Sequence, residues 1–171
     1  MFIKQIKVGK KMYDVISQGD NNTVIKWEDN TVAKLFELGN KQAQKELELL
    51  GIANQINNLL VKAIEIKYSS CYKYEMLIME RLVILDKRSL SLSERKSFLS
   101  IFQTQLNQLN KNRFIHGDIK RPLTHKKGDI WDNVCVTPQG IRLIDVGCSI
   151  LDYNSRIDSK DAEEFGEYFL K

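Results

Sequence analysis

Cysteine, proline and glycine are all sparse in this 171-residue chain, with three, two and nine residues respectively. The cysteines, Cys71, Cys135 and Cys148, are odd in number and show no Cys-x-x-Cys spacing. This pattern argues against a disulfide framework or a zinc site, and it favours a reducing, cytoplasmic compartment. No apolar run approaches the ~20 residues of a membrane span. The segment Met1–Lys7 also lacks the long apolar core of a secretory signal.

A strong excess of one charge is absent as well. The 26 basic and 22 acidic residues leave a net charge of +4, which is too small a bias for a nucleic-acid-binding protein. Hydrophobic residues make up 43% of the chain, enough for the core of one domain. We therefore expect a single domain that binds neither nucleic acid nor a membrane, and we expect it to be a monomer.

Four polar residues in the second half of the chain have the types that phosphoryl transfer requires. The reaction needs a carboxylate to orient the attacking hydroxyl, a cation beside the phosphate and two oxygen ligands for magnesium. These types occur here in the order of the protein-kinase signature: Asp118 and Lys120 in His-Gly-Asp-Ile-Lys, then Asn133, then Asp145 in Asp-Val-Gly. Between Asn133 and Asp145, two apolar runs flank a Pro-Gln-Gly turn. This filling predicts a β-hairpin that ends at a metal ligand.

The N-terminal half alternates short β-branched and aromatic runs with polar turns, which predicts a small antiparallel sheet. Kinases cover the ATP phosphates with a glycine-rich hairpin, because glycine lets backbone amides come close to the phosphates. Of the three positions where those glycines are expected, Ser17, Gly19 and Asn22, only Gly19 is a glycine. Gly19 and the following Val24 are the predicted nucleotide contacts of this hairpin.

Two strand-like segments carry the other predicted nucleotide contacts. Lys34 ends a Val-Ala-Lys run, the form of the kinase strand whose lysine contacts the α- and β-phosphates. Ala33 is small where the adenine would lie. The later run from Met79 through Glu80 to Leu82 matches the kinase hinge, with Met79 behind the adenine and Leu82 supplying backbone hydrogen bonds.

A helical pattern runs from Gly39 to Leu50. A carboxylate on this helix is expected to pair with Lys34 and hold it in register. We predict that Glu46 has this role and that Glu48 faces solvent. The apolar stripe of the helix is predicted to contain Ala43, Leu47 and Leu50.

Two more helices are predicted farther along the chain. The first opens with the capping box Ser91-Leu-Ser-Glu94. Its apolar face, at helical spacing, is Phe98, Ile101, Phe102, Leu106 and Leu109. The second is predicted to start at Asp161 in Asp161-Ala-Glu-Glu-Phe-Gly166, a pattern similar to the helix that braces the catalytic loop of kinases.

The segment from residue 121 to residue 132 is an insert, because kinases usually have two residues between the catalytic-loop lysine and the asparagine. The insert is basic, and we expect Arg121, Lys126 and Lys127 to dock an acidic or phosphorylated-like patch of a protein partner, with Trp131 exposed beside them. The alternative is that Trp131 packs inward and anchors the loop. Asp129 or Asp132 is an alternative metal ligand to Asn133. Gly117 replaces the arginine that usually pairs with an activation-loop phosphate, so we expect no such phosphate switch.

These motifs resemble those of protein kinases. From about residue 13 to residue 169, the chain is similar to the minimal type III secreted effector kinases of bacterial pathogens (OspG/NleH-like). The resemblance implies an α+β, two-lobed, protein-kinase-like fold, with an N-lobe at residues 1–82 and a truncated helical C-lobe at residues 83–171. A viral or phage minikinase would have the same size.

The resemblance also implies a role for each matching residue. Lys34 and Glu46 would form the phosphate-side ion pair, Asp118 would be the catalytic base and Lys120 would contact the γ-phosphate. Magnesium would be held by Asn133 and Asp145. The cofactors would be ATP and Mg2+, with nucleotide contacts from Gly19, Val24, Ala33, Lys34, Met79, Glu80 and Leu82. The substrate would be a serine or threonine of a protein, a host protein if the chain is secreted into a host cell.

Two other functions fit part of the pattern. Small-molecule kinases of the aminoglycoside type share His-Gly-Asp, but they usually place an asparagine where this chain has Leu123. A pseudokinase that only binds a partner would tolerate the reduced glycine loop. The complete set of Lys34, Asp118, Asn133 and Asp145 argues against that function.

Overall fold

The computed structural model describes residues 4–18, 22–69, 71, 73–121, 130–153 and 156–171. Within these ranges the chain is an α+β protein with three α-helices and a six-stranded antiparallel sheet. No helix of this part of the chain is long and apolar enough to cross a membrane. The chain divides into two compact units, Met1–Gly51 with Lys62–Arg81, and Ile52–Val61 with Leu82–Lys171.

The first unit is built on the six-stranded sheet, in which runs rich in β-branched and aromatic residues form strands joined by polar turns. The strands are β1 (Gln5–Val8), β2 (Lys11–Gln18), β3 (Thr23–Glu28), β4 (Thr31–Glu37), β5 (Ala63–Tyr68) and β6 (Tyr74–Glu80). Their order across the sheet is β1-β2-β3-β4-β6-β5. One cluster of buried side chains forms a core for this sheet: Val8, Ile25, Ala33, Leu35, Met76 and Ile78.

Helix α1 (Gln42–Ile56) begins where the Asn40 side chain accepts a hydrogen bond from the Gln42 backbone at 2.9 Å. Its buried residues lie at the spacing of one helical face: Ala43, Glu46, Leu49, Leu50 and Ala53. Ala43 and Leu50 of the predicted apolar stripe are buried, whereas Leu47 is only half-buried. The stripe is shifted toward Glu46, which is buried because it has a charged partner. Glu48 is exposed, as predicted.

Helix α2 (Leu92–Lys111) in the second unit has the predicted capping box. The Ser91 hydroxyl accepts a hydrogen bond from Glu94 N at 3.2 Å, and the Glu94 carboxylate accepts one from Ser91 N at 2.7 Å. Its buried residues are Leu99, Phe102, Leu106 and Leu109. Ile101 is 50% exposed, so its assignment to the buried face is wrong. Leu99 is buried instead because it lies three residues before Phe102, on the same face.

The remaining elements of the second unit surround the predicted catalytic motifs. Strand β7 (Phe114–Ile115) pairs with β10 (Ile150–Leu151). Strands β8 (Val134–Thr137) and β9 (Gly140–Leu143) form the hairpin expected between Asn133 and Asp145. Helix α3 (Arg156–Leu170) packs on α2, and Phe165 lies edge-on to Phe102 with ring centroids 5.6 Å apart. The helix therefore starts before Asp161, its predicted first residue.

Candidate active site

Lys34 in β4 and Glu46 in α1 form the ion pair that the sequence predicts. Lys34 Nζ donates to Glu46 Oε1 at 2.8 Å and to Oε2 at 2.9 Å. The two side chains are only 5% and 6% exposed. Removing one partner of a buried ion pair leaves the other charge buried without compensation, which lowers the free energy of unfolding by roughly 3–5 kcal/mol. The pair therefore holds the lysine ammonium at a fixed place on the sheet.

Apolar residues surround Lys34 on its own face of the sheet. Val24 lies directly opposite Lys34 on β3, and Val32 lies opposite Met79 on β6. Residues two apart along a strand, and residues paired across strands, point to the same side of a sheet. Val24, Val32 and Met79 therefore share the face of Lys34, and they offer an apolar surface next to its ammonium group.

The assignment of Ala33 to the adenine contact requires correction. Ala33 is fully buried in the core cluster with Ile25 and Ile78, on the opposite face of β4 from Lys34. Successive side chains of a strand alternate between faces, so the neighbour that shares the face of Lys34 is Val32. Strand alternation alone could have identified Val32 from the sequence.

The other predicted nucleotide contacts are placed only in part. Met79 is buried near the end of β6, and Glu80 ends that strand with its carboxylate accepting a hydrogen bond from Lys62 N at 2.7 Å. Leu82 follows two residues later and is half-buried. Gly19 lies outside the described residues. The hinge and phosphate-loop roles of these residues remain predictions.

Asn133 is joined directly to Asp118. Asn133 Nδ2 donates to the Asp118 backbone oxygen at 2.8 Å and to Asp118 Oδ2 at 3.0 Å. Asn133 is 3% exposed, so these bonds are made in a protected environment. The amide thereby fixes both the backbone and the carboxylate of the predicted catalytic base.

The insert between Lys120 and Asn133 is closed at its base. Arg121 N donates to Ile130 O at 2.9 Å, and Arg121 Nε lies 2.9 Å from Asp132 Oδ1 in an ion pair. These contacts return the chain to Asp118 despite the extra residues. Asp132, an alternative metal ligand, is thus engaged by a guanidinium group, and Asp129 lies outside the described residues.

A buried carboxylate on α3 holds the backbone of the loop that carries Asp118. Asp158 Oδ2 accepts a hydrogen bond from His116 N at 2.8 Å, and Asp158 Oδ1 accepts one from Gly117 N at 2.9 Å. Ser149 Oγ donates to His116 O at 3.0 Å from the other side. Asp158 and His116 are both fully buried. The loop that carries Asp118 is therefore fixed on both sides of its backbone.

The helix that carries the Asp161 motif contacts this loop at Asp161 as well, because Asp161 Oδ2 accepts a hydrogen bond from Lys120 N at 3.1 Å. Asp158, one helical turn earlier on the same side of α3, was not predicted from the sequence. Hydrogen bonds to a loop that is distant in sequence leave no periodic signal in a helix. The two side chains bind successive parts of the same loop.

His116 is a neutral imidazole in this environment. Burial lowers the pKa of His116 below its ordinary value. Its Nε2 lies 3.0 Å from the Ile144 carbonyl oxygen, which can only accept, so Nε2 carries the proton. Its Nδ1 is then the acceptor for Asp118 N at 3.4 Å. One ring thus links the loop of Asp118 to the strand end that precedes Asp145.

Asp145 has an unusual backbone conformation. Its φ is +60°, a left-handed value that is uncommon for residues other than glycine. Asp145 Oδ1 accepts a hydrogen bond from Gly147 N at 3.1 Å, and the preceding Ile144 N donates to Asn133 O at 3.0 Å. Such backbone strain clusters at functional sites in proteins. The hairpin thus brings the start of the Asp-Val-Gly segment next to Asn133.

Asp118 is half-buried, and this burial raises the pKa of its carboxyl group. The hydrogen bond from Asn133 acts in the opposite direction, and the negative charge of Asp145 raises the pKa of Asp118 further. The two carboxylates are therefore close enough to repel each other. Among the described residues, no group of three His, Cys, Asp or Glu side chains could hold a metal ion. Oxygen ligands at this place would have to include the Asn133 amide.

Trp131 does not form the exposed docking contact that we expected. It is 5% exposed, with its ring 5.3 Å from the Phe165 ring and 5.9 Å from the Tyr168 ring. The alternative is therefore correct, and Trp131 anchors the C-terminal end of the insert on α3. The large apolar area of an indole favours this burial.

Gly117 occupies a position that no other residue fits without strain. Its φ is +77°, and a Cβ atom there would lie 2.9 Å from the Cys148 backbone oxygen. An arginine, the residue usual at this position in kinases, would have to adopt the same positive φ, and its Cβ would lie equally close to the Cys148 oxygen. The glycine is thus a requirement of the local backbone.

Comparison with known proteins does not place the chain in a family. No protein-family model matches the chain, and a search of curated proteins finds no relative. Each unit is therefore interpreted from its own contacts: Lys34 with Glu46 in the first unit, and Asp118 with Asn133 and Asp145 in the second.

Replacing Trp131 with alanine should destabilise the protein by roughly 3–5 kcal/mol, because the change opens a cavity among the rings of Phe165 and Tyr168. Chemical denaturation followed by circular dichroism measures this change. Trp131→Phe is the comparison, because it keeps an aromatic ring at the same place and should therefore destabilise the protein less than Trp131→Ala does. An unfolding free energy unchanged in Trp131→Ala would contradict the buried position.

Gly117→Ala should lower the free energy of unfolding by about 1–3 kcal/mol, because alanine must adopt a left-handed backbone and approach Cys148 O. Gly51→Ala in α1 is the matched control. Gly51 has open space around its Cα, and alanine there should stabilise the helix by about 0.5–1 kcal/mol. Equal effects of the two changes would contradict the strained position of Gly117.

The stability of the fold should decrease as pH falls below the ordinary histidine pKa of about 6.5. The folded state keeps His116 neutral, whereas the unfolded chain protonates it, so lowering the pH favours unfolding. Unfolding free energies at several pH values between 7.5 and 5 test this prediction. An NMR titration that shows the His116 ring protonating at or above pH 6.5 would contradict it.

Proposed function

We propose that this protein is an ATP- and Mg2+-dependent kinase that transfers the γ-phosphate to serine or threonine hydroxyls of a protein. The observation that carries the proposal is the double hydrogen bond from Asn133 Nδ2 to the backbone and carboxylate of Asp118. These hydrogen bonds join a candidate base to a candidate metal ligand. Asp145, the second candidate metal ligand, lies just after the β8–β9 hairpin that begins after Asn133. Phosphoryl transfer depends mainly on such positioning and on charge stabilisation.

Each polar residue has a distinct task in the proposed reaction. Asp118 orients the acceptor hydroxyl and takes its proton, a task that suits a carboxylate whose pKa burial has raised. Lys34, fixed by Glu46, binds the α- and β-phosphates. Lys120 lies two residues after Asp118 and contacts the γ-phosphate. The face that Lys34 shares with Val24, Val32 and Met79 offers the adenine an apolar surface.

The residues at the hairpin ends suit a magnesium ion. Asn133 Nδ2 already donates to Asp118, so its Oδ1 is the atom oriented to act as a ligand. Asp145 supplies a carboxylate, and Mg2+ commonly binds one or two carboxylates together with water and substrate phosphates. When bound, the ion would neutralise charge on the phosphates. Asn133 and Asp145 would hold it.

The fold supports the same proposal at a coarser level. We assign the sheet unit, with Lys34 and Glu46, to a kinase-like N-lobe, and the unit with α2, the β8–β9 hairpin and α3 to a shortened C-lobe. The resemblance to secreted effector kinases extends the proposal to a host protein as substrate and to action in a host cytoplasm. A small-molecule kinase and a pseudokinase are the competing functions, and transfer of labelled phosphate to a generic protein, to an aminoglycoside or to neither separates the three.

Asp118→Asn should reduce phosphoryl transfer by about a hundredfold or more while leaving the affinity for ATP within about twofold, because Asp118 acts on the acceptor hydroxyl. Asp145→Asn should instead weaken ATP binding, and only in the presence of Mg2+. Labelled-phosphate transfer and nucleotide binding by calorimetry measure the two effects.

Asp152→Asn is the matched control for both variants, because Asp152 is an exposed aspartate outside the site and should keep wild-type values. Thermal unfolding checks that each variant is folded. Wild-type turnover in folded Asp118→Asn, or magnesium-dependent ATP binding that survives in Asp145→Asn, would contradict the proposed roles.

A further inference from the structure

Three acidic side chains of α3 bind the catalytic loop in succession. Asp158 holds the backbone of His116 and Gly117, and Asp161 holds the backbone of Lys120. Glu164, three residues farther along the helix, pairs through Oε2 with Lys120 Nζ. The first two carboxylates thus bind backbone groups, whereas the third binds the side chain that is proposed to contact phosphate.

Lys120 is consequently held at both ends. Its backbone N–H is bound by Asp161 at 3.1 Å, and its ammonium is bound by Glu164, with the Trp131 ring centroid 5.8 Å from Nζ. Trp131 is itself fixed against Phe165, the residue that follows Glu164. The two ends of the lysine and the ring beside its ammonium therefore all depend on one short stretch of α3.

Glu164 has the charge that this pairing requires. Lys120 lowers the pKa of the Glu164 carboxyl group below its ordinary value, so the group is ionised at neutral pH. The second nearby cation is Lys160, whose Nζ lies 3.9 Å from Glu164 Oε1, and that lysine is highly exposed. The stronger contact is the one with Lys120.

We propose that Glu164 is a positioning residue for Lys120 in phosphoryl transfer, an inference that rests on the proposed kinase function. A free lysine side chain samples many rotamers, and a phosphate that binds it must overcome this rotamer entropy. Glu164 orders the side chain before the phosphate arrives. An ammonium has three N–H donors, so one bond to Glu164 leaves donors for phosphate oxygens.

The opposite role for Glu164 would be that of a competitor. A carboxylate that withdraws Lys120 from phosphate would slow the reaction, and its removal would then speed transfer. A positioning residue gives the reverse sign, because its removal leaves the lysine mobile. The sign of the change in kcat therefore separates the two roles.

The test compares Glu164→Ala and Glu164→Gln with Glu163→Ala, a matched control that removes the neighbouring exposed glutamate of α3. Glu164→Ala should lower kcat on the order of tenfold and change KM for ATP less than about twofold, since misplaced catalytic groups affect the chemical step. Glu164→Gln should fall between Glu164→Ala and wild type, because its amide oxygen still accepts a hydrogen bond. Glu163→Ala should match wild type.

The double variant Glu164→Ala with Lys120→Ala shows whether Glu164 affects kcat through Lys120. If Glu164 acts through Lys120, then Glu164→Ala should cause no further loss of kcat in the Lys120→Ala background. An equal loss in both backgrounds would mean that Glu164 supports the fold instead, and unchanged or higher kcat in the single variant would overturn the positioning role directly.

A second readout does not depend on turnover. Acylation of Lys120 by an amine-reactive reagent, measured by peptide mass spectrometry against Lys62 as an internal reference, should increase several-fold in Glu164→Ala and not in Glu163→Ala. The carboxylate that engages the amine is gone only in the first variant. If wild-type protein transfers no phosphate, the kinase proposal fails. If wild-type protein is active but Lys120 labelling is the same in both variants, the Glu164 inference fails alone.

Discussion

The hydrogen bonds of Asp158 to His116 N and Gly117 N are the interaction on which the rest of the site depends. The oxygens of a buried carboxyl group need hydrogen-bond donors, and here each oxygen accepts one backbone N–H. This requirement explains why the loop can be tight, with Gly117 in a left-handed conformation and His116 fully buried. Asp118 follows directly, so the position of the candidate base is set by a side chain from α3.

Contacts at the two ends of the insert explain how the loop of Asp118 tolerates the extra residues. Arg121 is bonded to Ile130 and paired with Asp132, so the extra residues leave and return at one place. The entropy of closing a loop grows only slowly with its length, and the added cost of several residues is small. Trp131 then fixes the returning chain on Phe165, and Asn133 reaches Asp118 as it would after a short connection. Insert length and site geometry are therefore nearly independent.

Local patterns in the sequence predicted most of the elements and several contacts. The β8–β9 hairpin and the capping box of α2 follow from turn residues and caps. The pair of Lys34 with Glu46 was expected from the kinase pattern, and the periodicity of the helix selected Glu46 over Glu48. The wrong predictions concern residues whose role depends on which face of a strand or loop is buried. Ala33 faces the sheet core and Trp131 packs inward. Asp158 was not predicted because long-range hydrogen bonds to a loop leave no periodic signal in the helix that makes them.

The distribution of carboxylates gives the site its electrostatic character. A site for a polyanion such as ATP should not present many unbalanced negative charges, yet several carboxylates of the described residues lie on or near this loop, among them Asp118, Asp145, Asp158, Asp161 and Glu164. Two of them, Asp158 and Asp161, bind backbone N–H groups, and Glu164 is balanced by Lys120. Asp118 and Asp145 remain close enough to raise each other's cost of ionisation, as the effect of Asp145 on Asp118 indicates. Under the proposed function, a divalent cation held by Asn133 and Asp145 would relieve that repulsion and would supply positive charge to the phosphates, so nucleotide binding would depend on the metal.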